Sequence, residues 1–181
     1  IVFEPTTTIE TVFDGPRSSI HGAIFEQFSL TGIVPPGPTK TGSIIENKGV
    51  GETEYPDPQE KIYEIIQNVP YESDTNYFSS FEIIDNLDPV LKVGAEDIRI
   101  QNTNGADVTN LFDISLENYE LNIEAKSNTL TNENFYNQLY TITISGGLDL
   151  NSDYEKYVDE NDYVAVPNTV TTTIDGDSKE S

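Results

Sequence analysis

Residues 163–174, YVAVPNTVTTTI, are predicted to form the last strand of the chain, around which the rest is organised. They are rich in Val and Thr, the β-branched residues that favour strands. Because successive side chains of a strand alternate between its faces, the face that carries Val166, Asn168 and Val170 is apolar except for one carboxamide. A buried amide without a partner costs about 1–3 kcal/mol, so Asn168 is expected either to bond a neighbouring loop or to have a specific chemical role.

From Lys40 onward the chain repeats this pattern in short runs of Ile, Val, Tyr, Phe and Thr, separated by turns rich in Gly, Pro, Asn and Asp. We expect helix only as single turns around residues 132–137 and 153–159. Many short strands at this spacing predict an all-β protein with an Ig-like antiparallel β-sandwich. The predicted strands are residues 42–46, 61–69, 79–84, 90–93, 97–102, 111–116, 119–124, 138–145 and 163–174.

Composition narrows the functional classes. The chain has 181 residues, a formal net charge of -23, and no Cys, Met or Trp. Without Cys there is no disulfide framework, thiol nucleophile or cysteine zinc site. The negative charge disfavours nucleic acid and anionic membrane surfaces as partners and suits a solvated extracellular surface. The sequence has neither a long apolar run nor a signal peptide, so we expect a mature or excised segment with no membrane insertion.

Residues 1–37 are predicted to be an N-terminal extension, and residues 38–181 the sandwich domain. The sequence of residues 1–12, IVFEPTTTIETV, loosely echoes that of residues 164–175, and a proline-rich linker at residues 34–38 follows it. The extension is either the end of a preceding module or a strand that pairs with a neighbouring subunit. Chance similarity between two Thr-rich strands also explains the echo.

An acidic residue also falls on an apolar strand face. In residues 81–85, FEIID, the side chains of Phe81, Ile83 and Asp85 share one face, so a carboxylate follows two core side chains inward. The alternative is that Asp85 caps the turn formed by residues 86–89, NLDP.

Lysine is scarce, because the chain has only nine Lys and Arg residues together. Lys40 stands where the first strand of the sandwich begins, although a lysine there is also compatible with plain solvation. Lys61 opens a strand and is the second choice. Lys48 lies in a predicted turn and Lys92 at a strand end, so both are expected to be exposed.

A Lys amine, an Asn amide and an acidic side chain in an apolar core can form an amide cross-link with loss of ammonia. Burial lowers the pKa of a lysine, which gives a neutral nucleophile, and raises the pKa of an aspartic acid, which keeps it protonated. A protonated Asp85 can hydrogen-bond the Asn168 carbonyl, make its carbon more electrophilic and then shuttle a proton to the leaving ammonia. Such a bond would tie the first strand to the last.

Five segments occur in a recognisable order along residues 38–176. Together they resemble the isopeptide-forming adhesin domains of Gram-positive surface proteins, such as the C-terminal domains of antigen I/II adhesins and the stalk modules of fimbrial proteins. The segments are residues 37–41 (GPTKT), 61–65 (KIYEI), 81–88 (FEIIDNLD), 104–109 (NGADVT) and 166–170 (VPNTV).

The resemblance implies an Ig-like sandwich with a self-formed Lys–Asn isopeptide bond promoted by an Asp. Lys40 matches the family lysine, Asp85 the acid and Asn168 the acceptor. Residues 43–45, SII, are more apolar than the family pattern, which leaves Lys61, the second choice, and Lys48 open as alternatives to Lys40.

The resemblance further implies an extracellular structural protein attached to the cell surface or cell wall: an adhesin stalk or a pilus subunit. Its partners would be neighbouring copies or modules in a fibre, with a host protein or glycan as a further partner. A single self-directed turnover does not make the chain an enzyme.

The alternative function is a calcium-assisted, ligand-binding adhesin head. Asp149, Asn151 and Asp153 lie in a segment dense in oxygen ligands, although it lacks the glycine of an EF-hand loop. Calcium is the one cofactor that the sequence suggests, and a solvated acidic loop is the simpler interpretation. A weaker third possibility is an accessory domain of a secreted hydrolase, if residues 1–37 belong to a catalytic neighbour.

Overall fold

The computed structural model describes residues 37–42, 45–46, 61–72, 77–160 and 163–181, and all of these fall within one compact unit. Thirteen short strands account for most of the regular structure. They are β1 (Thr39–Gly42), β2 (Ile45–Glu46), β3 (Lys61–Val69), β4 (Phe81–Asn86), β5 (Leu91–Lys92), β6 (Ile98–Gln101), β7 (Phe112–Glu117), β8 (Glu120–Ala125), β9 (Gln138–Ser145), β10 (Gly147–Leu148), β11 (Tyr163–Val164), β12 (Val170–Ile174) and β13 (Asp177–Glu180).

Two large antiparallel sheets face each other. One has four strands in the order β1-β3-β9-β6, and the other has five in the order β13-β12-β4-β8-β7. The pairs β5–β10 and β2–β11 form two small antiparallel ribbons. The strands β1 and β3 therefore lie in one sheet, and the last two strands, β12 and β13, lie in the other. The predicted all-β, Ig-like sandwich is confirmed.

The core lies between the sheets, where inward side chains alternate with outward ones. In β4, Phe81, Ile83 and Asp85 are buried while their neighbours are more exposed. β3 departs from simple alternation, because a register shift between Lys61 and Tyr63 opposite β9 buries two consecutive residues. From Tyr63 onward every second residue of β3 faces the core.

The C-terminal part of the chain differs from the prediction. The strand predicted at residues 163–174 is two strands, β11 and β12, because residues 165–169 lie outside any ladder. Pro167 has no N–H to donate to a neighbouring strand, which accounts for a break at this point. Asp175 and Gly176 then take positive φ of 51° and 92°, as a tight hairpin turn requires, and lead into the unpredicted strand β13.

Helix is confined to short pieces. The α-helix α1 spans Ser127–Leu130, and single 3-10 turns occur at Ala95–Asp97, Thr109–Leu111, Glu133–Phe135 and Tyr154–Tyr157. The last two match the helical turns predicted around residues 132–137 and 153–159. In the part of the chain that the structure describes, no helix has the length and apolar character needed to cross a membrane. The predicted extension, residues 1–37, lies almost wholly outside the described residues, and its role stays a prediction.

Candidate functional site

Asp85 is the centre of the candidate site. It lies in β4 opposite Val170 of β12 on one side and Leu121 of β8 on the other, and none of its surface is exposed. The strand alternation that turns Phe81 and Ile83 inward turns Asp85 inward as well. The following turn is capped by Asp88, whose carboxylate accepts from the Val90 N–H at 2.9 Å.

Lys40 reaches Asp85 from the opposite sheet. It lies in β1 opposite Ile65 of β3, between two exposed threonines, so its side chain points into the sandwich. Its ammonium donates a hydrogen bond to the Asp85 carboxylate, and only 2% of the Lys40 side chain is exposed. The two charges thus form a buried ion pair.

Asn168 meets the same carboxylate through its other oxygen. It lies two residues before β12, and its Nδ2 donates to Asp85 Oδ1 at 2.8 Å. The sequence predicted a contact through the Asn168 carbonyl instead. An ionised carboxylate can only accept hydrogen bonds, so it takes the amide N–H while Lys40 keeps its proton. The structure therefore brings Lys40 and Asn168 to the same carboxylate of Asp85, and the roles of the three residues and the bond between Lys40 and Asn168 stay predictions.

The surroundings shift the pKa values of both charged groups in the directions that favour their neutral forms. Burial raises the pKa of the Asp85 carboxyl, against the opposing effects of Lys40 and of the hydrogen bonds from Lys40 and Asn168. Burial likewise lowers the pKa of the Lys40 amine, although Asp85 counteracts it. The balance eases proton transfer from the ammonium to the carboxylate, which would give a neutral amine beside a protonated acid.

Tyr63 is a site residue that sequence reasoning missed. It lies in β3 with 4% of its surface exposed, and its hydroxyl donates to the Val166 carbonyl at 2.7 Å. Its ring centre lies 4.3 Å from Lys40 Nζ. In the sequence Tyr63 looks like any other strand residue. Only the register shift after Lys61 shows that its side chain faces the core.

Lys61, the second-choice lysine, is placed away from Asp85. Its side chain is 48% exposed, and its ammonium pairs with Glu64 at 3.0 Å. The register shift turns Lys61 outward while Tyr63 turns inward. Lys92 is exposed, and Lys48 lies outside the described residues.

The acidic segment proposed for calcium forms a turn. Asp149 Oδ1 accepts from the backbone N–H of Asn151 at 3.0 Å and from its side-chain amide at 3.2 Å. Within the described residues, which omit residues 161–162, no three His, Asp or Glu side chains are grouped so that they could hold a metal ion. Calcium binding around Asp149, Asn151 and Asp153 stays an untested prediction.

Comparisons with known proteins identify the fold. No family model matches the chain, and no curated protein matches it. Among solved structures, the N-terminal domain of the Streptococcus gordonii adhesin Sgo0707 aligns with a TM-score of 0.55 at 16% identity, over 81% of this chain and 31% of that one. The Actinomyces fimbrial adhesin FimA gives 0.51 at 12% identity, over 81% of this chain and 48% of that one.

The full-length major pilin RrgB from Streptococcus pneumoniae gives a TM-score of 0.50 at 16% identity, over 81% of this chain and 24% of that one. The chain thus spans less than half the length of each of these three structures. Two of these neighbours are adhesins and the third is a major pilin. At the level of the fold, they confirm the resemblance to Gram-positive adhesin and pilin domains that the sequence predicted.

Proposed function

We propose that this chain is a module of a cell-surface adhesin stalk or pilus fibre, held together by a self-formed isopeptide bond between Lys40 and Asn168. The observation that carries the proposal is the buried Asp85 carboxylate, which accepts hydrogen bonds from both of these side chains. The fold shared with adhesins and pilins supports the setting. The partners would be neighbouring copies or modules of the fibre, outside the cell.

The reaction begins with transfer of one proton from the Lys40 ammonium to Asp85. The neutral amine attacks Cγ of Asn168, and the protonated Asp85 stabilises the oxygen of the tetrahedral intermediate. Asp85 then relays the surplus proton of the former amine to the departing nitrogen, which leaves as ammonia. One C–N bond forms and one breaks. The products are a secondary amide and ammonia, and Asp85 keeps the proton that it first took from the Lys40 ammonium.

The location of the bond explains its use. Lys40 is in the first strand of one sheet and Asn168 lies two residues before β12 in the other, so the bond would close nearly the whole domain into one loop. Tension entering at one end and leaving at the other would pass through the cross-link and bypass the strands between them. That property suits a module of an extended surface fibre.

Intact mass tests the proposal, because the bond removes one ammonia and the chain should weigh about 17 Da less than its sequence. Asp85→Ala should restore the full mass. A full-length chain of unreduced mass would overturn the proposal, and an Asp85→Ala chain that keeps the deficit would show that Asp85 is not the acid.

A further inference from the structure

Tyr63 touches both sides of the candidate site. Its hydroxyl binds the Val166 carbonyl, two residues before Asn168, and Lys40 Nζ lies over its ring. One side chain of β3 therefore connects the strand that carries the lysine with the segment that carries the asparagine.

The Asn168 segment needs such an anchor. Residues 165–169 lie between β11 and β12 without a strand ladder, and Pro167 offers no N–H. The segment is fixed at its far end by Val170, which pairs with Asp85. At its other end the Ala165 N–H donates to the Tyr157 carbonyl at 3.3 Å, and the Val166 carbonyl adds an anchor nearer to Asn168. Few rotatable bonds remain between Val166 and Val170, which restricts where the Asn168 carboxamide can lie.

Gly42 leaves room for the ring of Tyr63. Gly42 lies directly opposite Tyr63 in the β1–β3 pairing. A Cβ atom at Gly42 would come within 3.1 Å of Tyr63 Cε1 and 3.3 Å of Cδ1, closer than ordinary packing allows. Glycine at this position therefore lets the ring lie close to β1, with the Lys40 amine over it.

We propose that Tyr63 is the positioning residue for the cross-linking reaction: its hydroxyl holds the Asn168 segment through Val166, and its ring fixes the Lys40 amine beside Asp85. This role rests on the proposed function. Tyr63 gives up no proton in the reaction, because burial and then the nearby Asp85, Asp88 and Tyr157 raise the pKa of its phenol and keep the hydroxyl protonated. It acts on the geometry of the two reacting groups, which controls how often they meet in a productive arrangement.

The test measures the rate of cross-linking in the full chain. The chain is made by cell-free synthesis and trapped unfolded in denaturant. Dilution into folding buffer starts the reaction, and samples are quenched in acid at intervals. Mass spectrometry then follows the loss of ammonia. Tyr63→Phe keeps the ring and removes the hydroxyl, so we expect the loss to be about tenfold slower, the usual effect of one hydrogen bond on a barrier. The pH range over which the rate is high should not move, since the hydroxyl binds a backbone carbonyl.

A matched variant separates positioning from general packing. Tyr140 is equally buried and donates a hydrogen bond to the Phe135 carbonyl at 3.0 Å, so Tyr140→Phe removes a comparable bond. It should leave the cross-linking rate of the folded chain unchanged. Gly42→Ala keeps the Tyr63 hydroxyl but displaces the ring, so it should also slow the reaction. It takes the place of Tyr63→Phe as the test if Tyr63→Phe does not fold. Folding of each variant is checked by its unfolding curve in an Asp85→Ala background.

Two results would overturn the role of Tyr63. One is a folded Tyr63→Phe chain, or a folded Gly42→Ala chain if Tyr63→Phe does not fold, that cross-links at the unmodified rate. The other is a Tyr140→Phe chain that is slowed as much as Tyr63→Phe. If the unmodified chain itself never loses ammonia, the proposed function fails and this role fails with it. If instead the chain cross-links at the same rate with and without the Tyr63 hydroxyl, only the role of Tyr63 fails.

Discussion

Asp85 lies opposite Val170 in the pairing of β4 with β12, and this register sets Asn168, two residues earlier, against the Asp85 carboxylate. A slip of one residue in either strand would turn one of these side chains to the other face of the sheet. The convergence with Lys40 therefore depends on strand register as well as on the identities of the three residues. The same register brings Asn168 to Asp85, 83 positions earlier in the sequence.

Lys40→Arg should abolish the cross-link while keeping a cation beside Asp85. A guanidinium stays protonated and is not a nucleophile, so the variant chain should have its full mass. Losing the covalent closure of so long a loop should lower the free energy of unfolding by roughly 5 kcal/mol, by analogy with a disulfide. Mass spectrometry and denaturant unfolding measure the two effects.

Lys61→Arg is the control for that variant. Lys61 is half-exposed and pairs with Glu64, so its substitution should leave both the ammonia loss and the unfolding curve nearly unchanged. If Lys61→Arg restored the full mass and Lys40→Arg did not, Lys61 would be the bonded lysine.

The cross-linking rate should depend on pH as a bell-shaped curve. Reaction requires the pair to hold a single proton, on Asp85, so it slows when Lys40 and Asp85 are both protonated and when both have lost their protons. Because burial raises the pKa of Asp85, the acidic limb should lie above the ordinary aspartate range. Because burial lowers the pKa of Lys40, the alkaline limb should lie below the ordinary lysine range. Limbs at the ordinary values of exposed groups would contradict a buried reacting pair.

A second polar contact crosses the sandwich at Thr172, whose hydroxyl lies 2.8 Å from Gln67 Oε1. Both residues are buried, Gln67 in β3 and Thr172 in β12. Thr172→Val removes the hydrogen bond at nearly constant volume and should lower the free energy of unfolding by about 1–2 kcal/mol. Thr173→Val is the matched control: the Thr173 hydroxyl contacts Ser178 at an exposed position, so we expect little change. If the two substitutions lowered the free energy of unfolding equally, the buried hydrogen bond would contribute no more to stability than the exposed one.

Period-two alternation was enough to place Asp85 correctly. Two apolar residues at the same spacing, Phe81 and Ile83, marked the inward face, and the structure follows it. The same reasoning placed Asn168 on the side of Val166 and Val170, both of which are buried. It did not foresee that the strand breaks around Pro167, because Val and Thr continue on both sides of the break.

Features that depend on pairing partners were beyond the sequence. The register shift that separates Lys61 from Tyr63 is a property of β3 and β9 together, so neither segment shows it alone. β13 is polar and exposed along its whole length and offers no alternation to read. Only Asp175-Gly176, a typical hairpin-turn pair, could have indicated it.

Mechanical stretching tests the load-bearing role directly. If the full chain is pulled from its two ends, the cross-link should shield the residues between Lys40 and Asn168, and only the segments outside this loop can extend. Among the described residues those segments include β12 and β13, which follow Asn168. In the Asp85→Ala chain the loop is free to unravel, and at about 3.5 Å per residue it should add on the order of 400 Å to the final length. Because the segments outside the loop are identical in both chains, the difference isolates the loop, and equal contour lengths would show that no covalent bond carries the load.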